Sequence, residues 1–136
     1  MLGKSGIKNL KSIYKKLFKL NSTLLIMKKV VRPWGNFKEF CKNKKCTVKI
    51  LEVKSNKELS LQYHFKREEM WYFLDDGFVQ LGNKKKKVSA GEVVKIPRKK
   101  PHRIIAGKNK LKVLEVSFGN FSERDEVRLG DDYGRK

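Results

Sequence analysis

From Val30 onward, apolar residues come in short alternating runs separated by turn-forming residues. "CTVKILEV", "LSLQYHF", "EMWYFL", "FVQL", "HRIIA" and "KLKVLEVSF" are each strand-length, rich in β-branched and aromatic residues, and bounded by "KNKK", "DDG", "GN", "AG" or "GKN". No convincing helical period lies between them. Such a succession predicts an all-β barrel or sandwich. "FKEFC" is expected to turn at "KNKK" into "CTVKILEV", with Val48 and Ile50, joined by Leu51 and Val53, on the buried face. Gly82–Asn83 reads as a two-residue hairpin turn, and Lys84–Lys87 as its solvated flank. The acidic tail "SERDEVRLGDDYGRK" is expected to wrap back over the barrel through a short helical turn at "ERDEV".

Within this pattern the chain's two histidines are placed unusually. In "LSLQYHF" side chains alternate between faces, so Gln62 and His64 point the same way. Glu69 begins the next strand and can return beside them, while His102 opens a later strand after Pro97 and Pro101. A lone strand histidine is usually a satisfied core residue. Gln62, His64, Glu69 and His102 together form a mixed N/O donor set suited to Zn²⁺, Fe²⁺ or Mn²⁺.

The spacing from Gln62 to Glu69, followed by that from Gly91 to His102, resembles the two sequence motifs of the cupin barrels. "RPWG", "SLQYHFKREEMW", "HRI", "LEVSFG" and "DDYGR" fall in the order found in the cupin domain of type II mannose-6-phosphate isomerases. In two-domain relatives that cupin follows a mannose-1-phosphate guanylyltransferase. The resemblance runs from about Val30 to Arg135 and implies a cupin (double-stranded β-helix, or jelly-roll) fold. It also implies a divalent metal, zinc above all, and interconversion of mannose 6-phosphate and fructose 6-phosphate. The alternative is a non-catalytic carbohydrate-binding or regulatory cupin serving a separate guanylyltransferase. Guanylyl transfer by this chain alone is not expected, because no Gly-rich nucleotide-binding segment is present. Arg67, Arg103 and Arg135, with Lys100, are the candidates to hold a phosphate, although Arg67 can instead pair with Glu68 or Glu69. Glu115 is a candidate base if its strand faces inward; Asp131 and Tyr133 qualify if the tail covers the mouth. Trp34 and Trp71 are candidate walls for a sugar, or core residues. The sequence departs from the family at Met70, usually His, and at Lys99, often Gly.

Charge is lopsided, with 34 Lys and Arg against 14 Asp and Glu and a formal net charge of +20. Nucleic-acid binding is one reading, but the lysines are scattered and no recognition motif accompanies them. A lysine-rich background or a basic pocket for a small anion are the others. Residues 1–29 read as a basic extension to a cupin domain at 30–136. Within it Ile7, Leu10, Tyr14, Leu17 and Phe18 mark an apolar stripe on a helix, a candidate for anionic membrane surfaces or a partner. Met27, opening "MKKVVRPWG", reads as an alternative start. Cys41 and Cys46 are expected as thiols in a reducing cytosol. The expected partners are a sugar phosphate, a second copy in a homodimer and a separate guanylyltransferase.

Overall fold

The computed structural model describes residues 27–135. The amphipathic helix expected in residues 1–26 lies outside the described residues. Contacts divide the chain into two compact units, Met1–Lys42 and Asn43–Lys136. In the first, β1 (Lys28–Arg32) and β2 (Gly35–Glu39) form an antiparallel ribbon. Trp34 stands 73% exposed at its turn and stacks on Phe37, with ring centroids 6.5 Å apart. The expected pairing of this segment with the next strand is corrected here, since β2 pairs with β1.

The second unit is a two-sheet antiparallel barrel, and among the described residues there is no helix. One sheet has the order β3-β10-β5-β8, from Cys46–Val53, Leu111–Phe118, Glu68–Phe73 and Val93–Ile96. The other has the order β11-β4-β9-β6-β7, from Val127–Gly130, Leu61–Tyr63, His102–Ile105, Gly77–Leu81 and Lys84–Val88. Trp71, Phe73, Val79, Ile96, Ile104 and Leu111 are fully buried members of one core cluster. Each such side chain contributes about 1.5–3 kcal/mol by leaving water.

Local sequence explains the connections. Gly82 takes φ +58° between Leu81 and Lys84, the position where a type II′ hairpin turn calls for glycine. Lys84–Lys87 form the exposed edge strand that follows, where charge discourages pairing with another chain. Two expectations are corrected. Val48 and Ile50 are 56% and 51% exposed, and the inward face of β3 carries Lys49, Leu51 and Val53. The strand has apolar residues in both phases, so alternation alone does not fix which face turns in. The segment expected to turn helically is an irregular turn leading into β11, whose Val127 and Arg128 pair with Tyr63 and Gln62.

Candidate metal centre

Both sheets deliver side chains to one cavity of about 160 Å³. In the five-stranded sheet, Gln62 on β4 lies directly opposite His102 on β9, so both face inward together. His64 follows β4 immediately. From the four-stranded sheet come Glu69 and Trp71 on β5, Glu115 on β10 and Lys49 on β3. Trp71, Glu115 and Lys49 stand side by side in register. The ligand atoms of His64, Glu69 and His102 lie within 4.8 Å of one another, and all three residues are buried.

The hydrogen bonds around the two imidazoles determine what this cluster can hold. His64 Nδ1 lies 2.6 Å from the Asp125 carbonyl and His102 Nδ1 2.7 Å from the Lys100 carbonyl. A carbonyl only accepts, so each Nδ1 carries the proton and donates. The Nε2 atoms therefore turn toward Glu69, at 3.2 Å from Oε1 for His64 and 3.7 Å from Oε2 for His102. Two ring nitrogens and a carboxylate facing one another can hold a shared cation. Such backbone-anchored histidines are the usual support of a metal site, and the donor set fits zinc or a similar divalent ion. Gln62 lines the same cavity. Its amide nitrogen donates to Ser60 Oγ at 3.1 Å, which leaves the oxygen as the end able to ligate.

Protonation follows the same geometry. Burial acts to lower the pKa of His64, but the hydrogen bond to Glu69 and that carboxylate's charge outweigh it and raise it above 6.5. His64 Nε2 faces both the Glu69 carboxylate and, at 3.3 Å, Arg67 Nη2. Burial pushes His102 down to about 4, so it is neutral. Burial would raise Glu69, yet hydrogen bonds from His64 and Arg67 hold it down at about 2. Glu115 is pushed up to about 7 by burial, then by the charge of Glu69, while accepting from Trp71 Nε1 at 3.1 Å.

The four arginine and lysine candidates separate clearly. Arg67 is buried; its Nε donates to Glu69 Oε1 at 2.8 Å and its Nη1 to the Ser122 carbonyl at 2.9 Å, with the guanidinium over Phe121. It fixes Glu69 and the 121–126 segment. Arg103 follows His102 on β9 and so faces the opposite side, where it pairs with Glu58. Arg135 is bound to Asp131 at 2.8 Å on the surface, and the Tyr133 hydroxyl donates to the Glu58 carbonyl at 2.9 Å. Lys100 is represented by its carbonyl on His102. Neither Arg103, Arg135, Asp131 nor Tyr133 lines the cavity. Met70, between Glu69 and Trp71 on β5, points to the other face of its strand, so a histidine expected there from the resemblance would not have faced this cavity. Lys99 adopts φ +63°, a left-handed position that favours glycine, and donates its N–H to the His64 carbonyl at 2.7 Å.

Sequence reasoning missed Asp125, Lys49 and the mouth residues Phe121, Glu123 and Glu126. Asp125 accepts the N–H groups of Phe65 and Lys66 at 2.9 and 3.0 Å while its carbonyl holds His64. The only sequence signal was an acidic residue in a polar tail. Asp125→Ala is expected to loosen the turn that carries His64 and to weaken zinc affinity about 10–100-fold. A competition titration with a chromogenic chelator reads that loss.

Antiparallel sheets closing over an inward His, Glu and His define a cupin barrel. Residues 20–132 match the sequence profile of the family described as mannose-6-phosphate isomerase C-terminal, and the chain belongs to that family. It is 33% identical over 127 residues to mannose-1-phosphate guanylyltransferase 2 of Escherichia coli O157:H7, covering 91% of this chain and 26% of that protein. The chain thus spans about a quarter of that relative's length. Among solved structures, the capsular polysaccharide assembling protein CapF of Staphylococcus aureus is similar over 78% of this chain and 33% of that one, with TM-score 0.58 and 20% identity. A cupin protein of Bacteroides fragilis is similar over 60% of this chain and 76% of that one, with TM-score 0.50 and 19% identity. These structural likenesses speak for the fold. Among the described residues no helix is long and apolar enough to cross a membrane.

Proposed function

We propose that this chain is a metal-dependent sugar-phosphate isomerase that interconverts mannose 6-phosphate and fructose 6-phosphate. The observation that carries the reading is the convergence of His64, Glu69 and His102 beside the buried, high-pKa Glu115. His64, Glu69 and His102, with Gln62 as fourth donor, would hold the ion, which would supply Lewis-acid polarisation of the sugar's carbonyl and hydroxyl oxygens. Glu115 takes the proton from C2 and returns it to C1. A carboxyl poised near neutrality suits both halves of that transfer, and the Trp71 N–H keeps it oriented. Arg67 holds Glu69 in its ligating position. Membership of the isomerase family supports the assignment of substrate.

The test is direct. Purified protein is reloaded with zinc, supplied with mannose 6-phosphate, and fructose 6-phosphate is measured. Turnover that disappears with a chelator and returns with metal is expected. A second reading draws on the relative named a guanylyltransferase, of which the matched region is 26%. In it, the chain is a non-catalytic sugar-binding or regulatory cupin acting beside a separate guanylyltransferase. A chain that holds metal tightly but turns over no sugar phosphate would favour it.

A further inference from the structure

An anionic substrate needs a cation at the cavity, and most of those expected from sequence are engaged elsewhere. Arg103 and Arg135 face away from it, and Arg67 is buried against Glu69 and Ser122. Lys49 is different. It sits on the inward face of β3, in register with Glu115 and then Trp71, and lines the cavity. Its side chain is 37% exposed, and its ammonium rests 4.0 Å from the Phe121 ring centroid. Its ammonium pairs with Glu123 at 3.2 Å, a residue whose side chain is 74% exposed.

We propose that Lys49 is the phosphate anchor of this cavity, and that Glu123 occupies its ammonium until an anion arrives. The inference rests on the sugar-phosphate reading above and names the residue that would select for the phosphate. The other lining carboxylates are engaged differently. Glu69 is held by Arg67 and the imidazoles, Glu115 by Trp71, and Glu126 pairs with Arg128 at 2.8 Å. Glu123 alone among them is an exposed carboxylate on a partly exposed lysine, a pairing of little net strength that a phosphate dianion readily displaces. Position agrees. Lys49 lies two strands across and two residues along from Glu69, roughly 12 Å between backbones at ordinary sheet spacings. The ammonium and Glu69 line the same cavity from strands that far apart, so a sugar held at one end can present its phosphate at the other. Phe121 beneath the ammonium fixes its direction.

Calorimetric titration with mannose 6-phosphate, mannose and inorganic phosphate separates the contributions. The wild-type chain is expected to bind mannose 6-phosphate more tightly than mannose. Lys49→Met should weaken mannose 6-phosphate binding roughly ten- to hundredfold, the loss of one charge-assisted hydrogen bond, and leave mannose unchanged. Glu123→Gln, at an exposed position without folding risk, should tighten mannose 6-phosphate about two- to fivefold. Inorganic phosphate should follow the same order if the site recognises phosphate itself. Wild-type affinity for mannose 6-phosphate in both variants would overturn the role of Lys49 alone. A wild-type chain that binds none of the three ligands would overturn the sugar-phosphate reading and this inference with it.

Discussion

Glu115→Gln is expected to reduce isomerase turnover by about 10²–10⁴-fold, the usual contribution of a general base, while the barrel and its metal affinity persist. The substitution is nearly isosteric. The amide oxygen still accepts from Trp71 Nε1, and the amide N–H₂ can donate toward Glu69, as the protonated carboxyl does. What it removes is the capacity to carry a proton. Stability gives a second signature. The folded pKa of Glu115, about 7, lies above its ordinary 4.5. Stability from this neutral group is therefore fully present below pH 4.5 and is lost as pH rises through about 7. Melting the chelator-treated protein at pH 6 and pH 8 should show a fall for wild type and a smaller fall for the glutamine variant. Equal turnover in both proteins would remove Glu115 from the reaction.

The second large effect concerns Glu69 and Arg67. Glu69→Ala leaves the Arg67 guanidinium, 5% exposed, without its carboxylate. Breaking a buried pair from one side costs about 3–5 kcal/mol. Replacing both residues, as Arg67→Met with Glu69→Leu, should recover a large part of that loss, because no orphaned charge remains. Urea melts of Arg67→Met, Glu69→Leu and the variant carrying both measure the coupling. Additive losses would mean that the pair is not a unit. The same cluster sets acid sensitivity. Glu69 is depressed to about 2 and His102 to about 4. The contribution of Glu69 is present above pH 4.5 and lost toward pH 2; that of His102 is present above pH 6.5 and lost as pH falls through 4. Between pH 6.5 and 4.5 the loss at His102 is opposed by the gain at Glu115, so metal-free protein should lose stability most steeply below pH 4.5, where only the losses at His102 and Glu69 remain.

Much of this was legible in the residues. Strand-length runs and a Gly-Asn turn announced the barrel, and period-two alternation carried Gln62 and His64 to one face. Alternation also held the answer for Arg103, which must point away once His102 points in. A phosphate role was nonetheless expected of it from its type. Lys49 was hidden by numbers, one lysine among many, and by β3 itself. The strand is apolar in both phases, and its polar inward position becomes intelligible only when the cavity across from it is known. Asp125 and β11 escaped because the acidic tail carries little apolar periodicity. Its strand is fixed by pairing with β4 and by side-chain caps on residues 65 and 66, contacts distant in sequence.

The central claim is that His64, Glu69 and His102 form one metal site. Metal-free protein titrated calorimetrically with zinc, beside His64→Ala and His102→Ala variants whose folding is checked by melting, tests it most directly. The account predicts one zinc per wild-type chain, and loss of that site in each variant. A folded His102→Ala protein that takes up zinc with wild-type stoichiometry and affinity would contradict it.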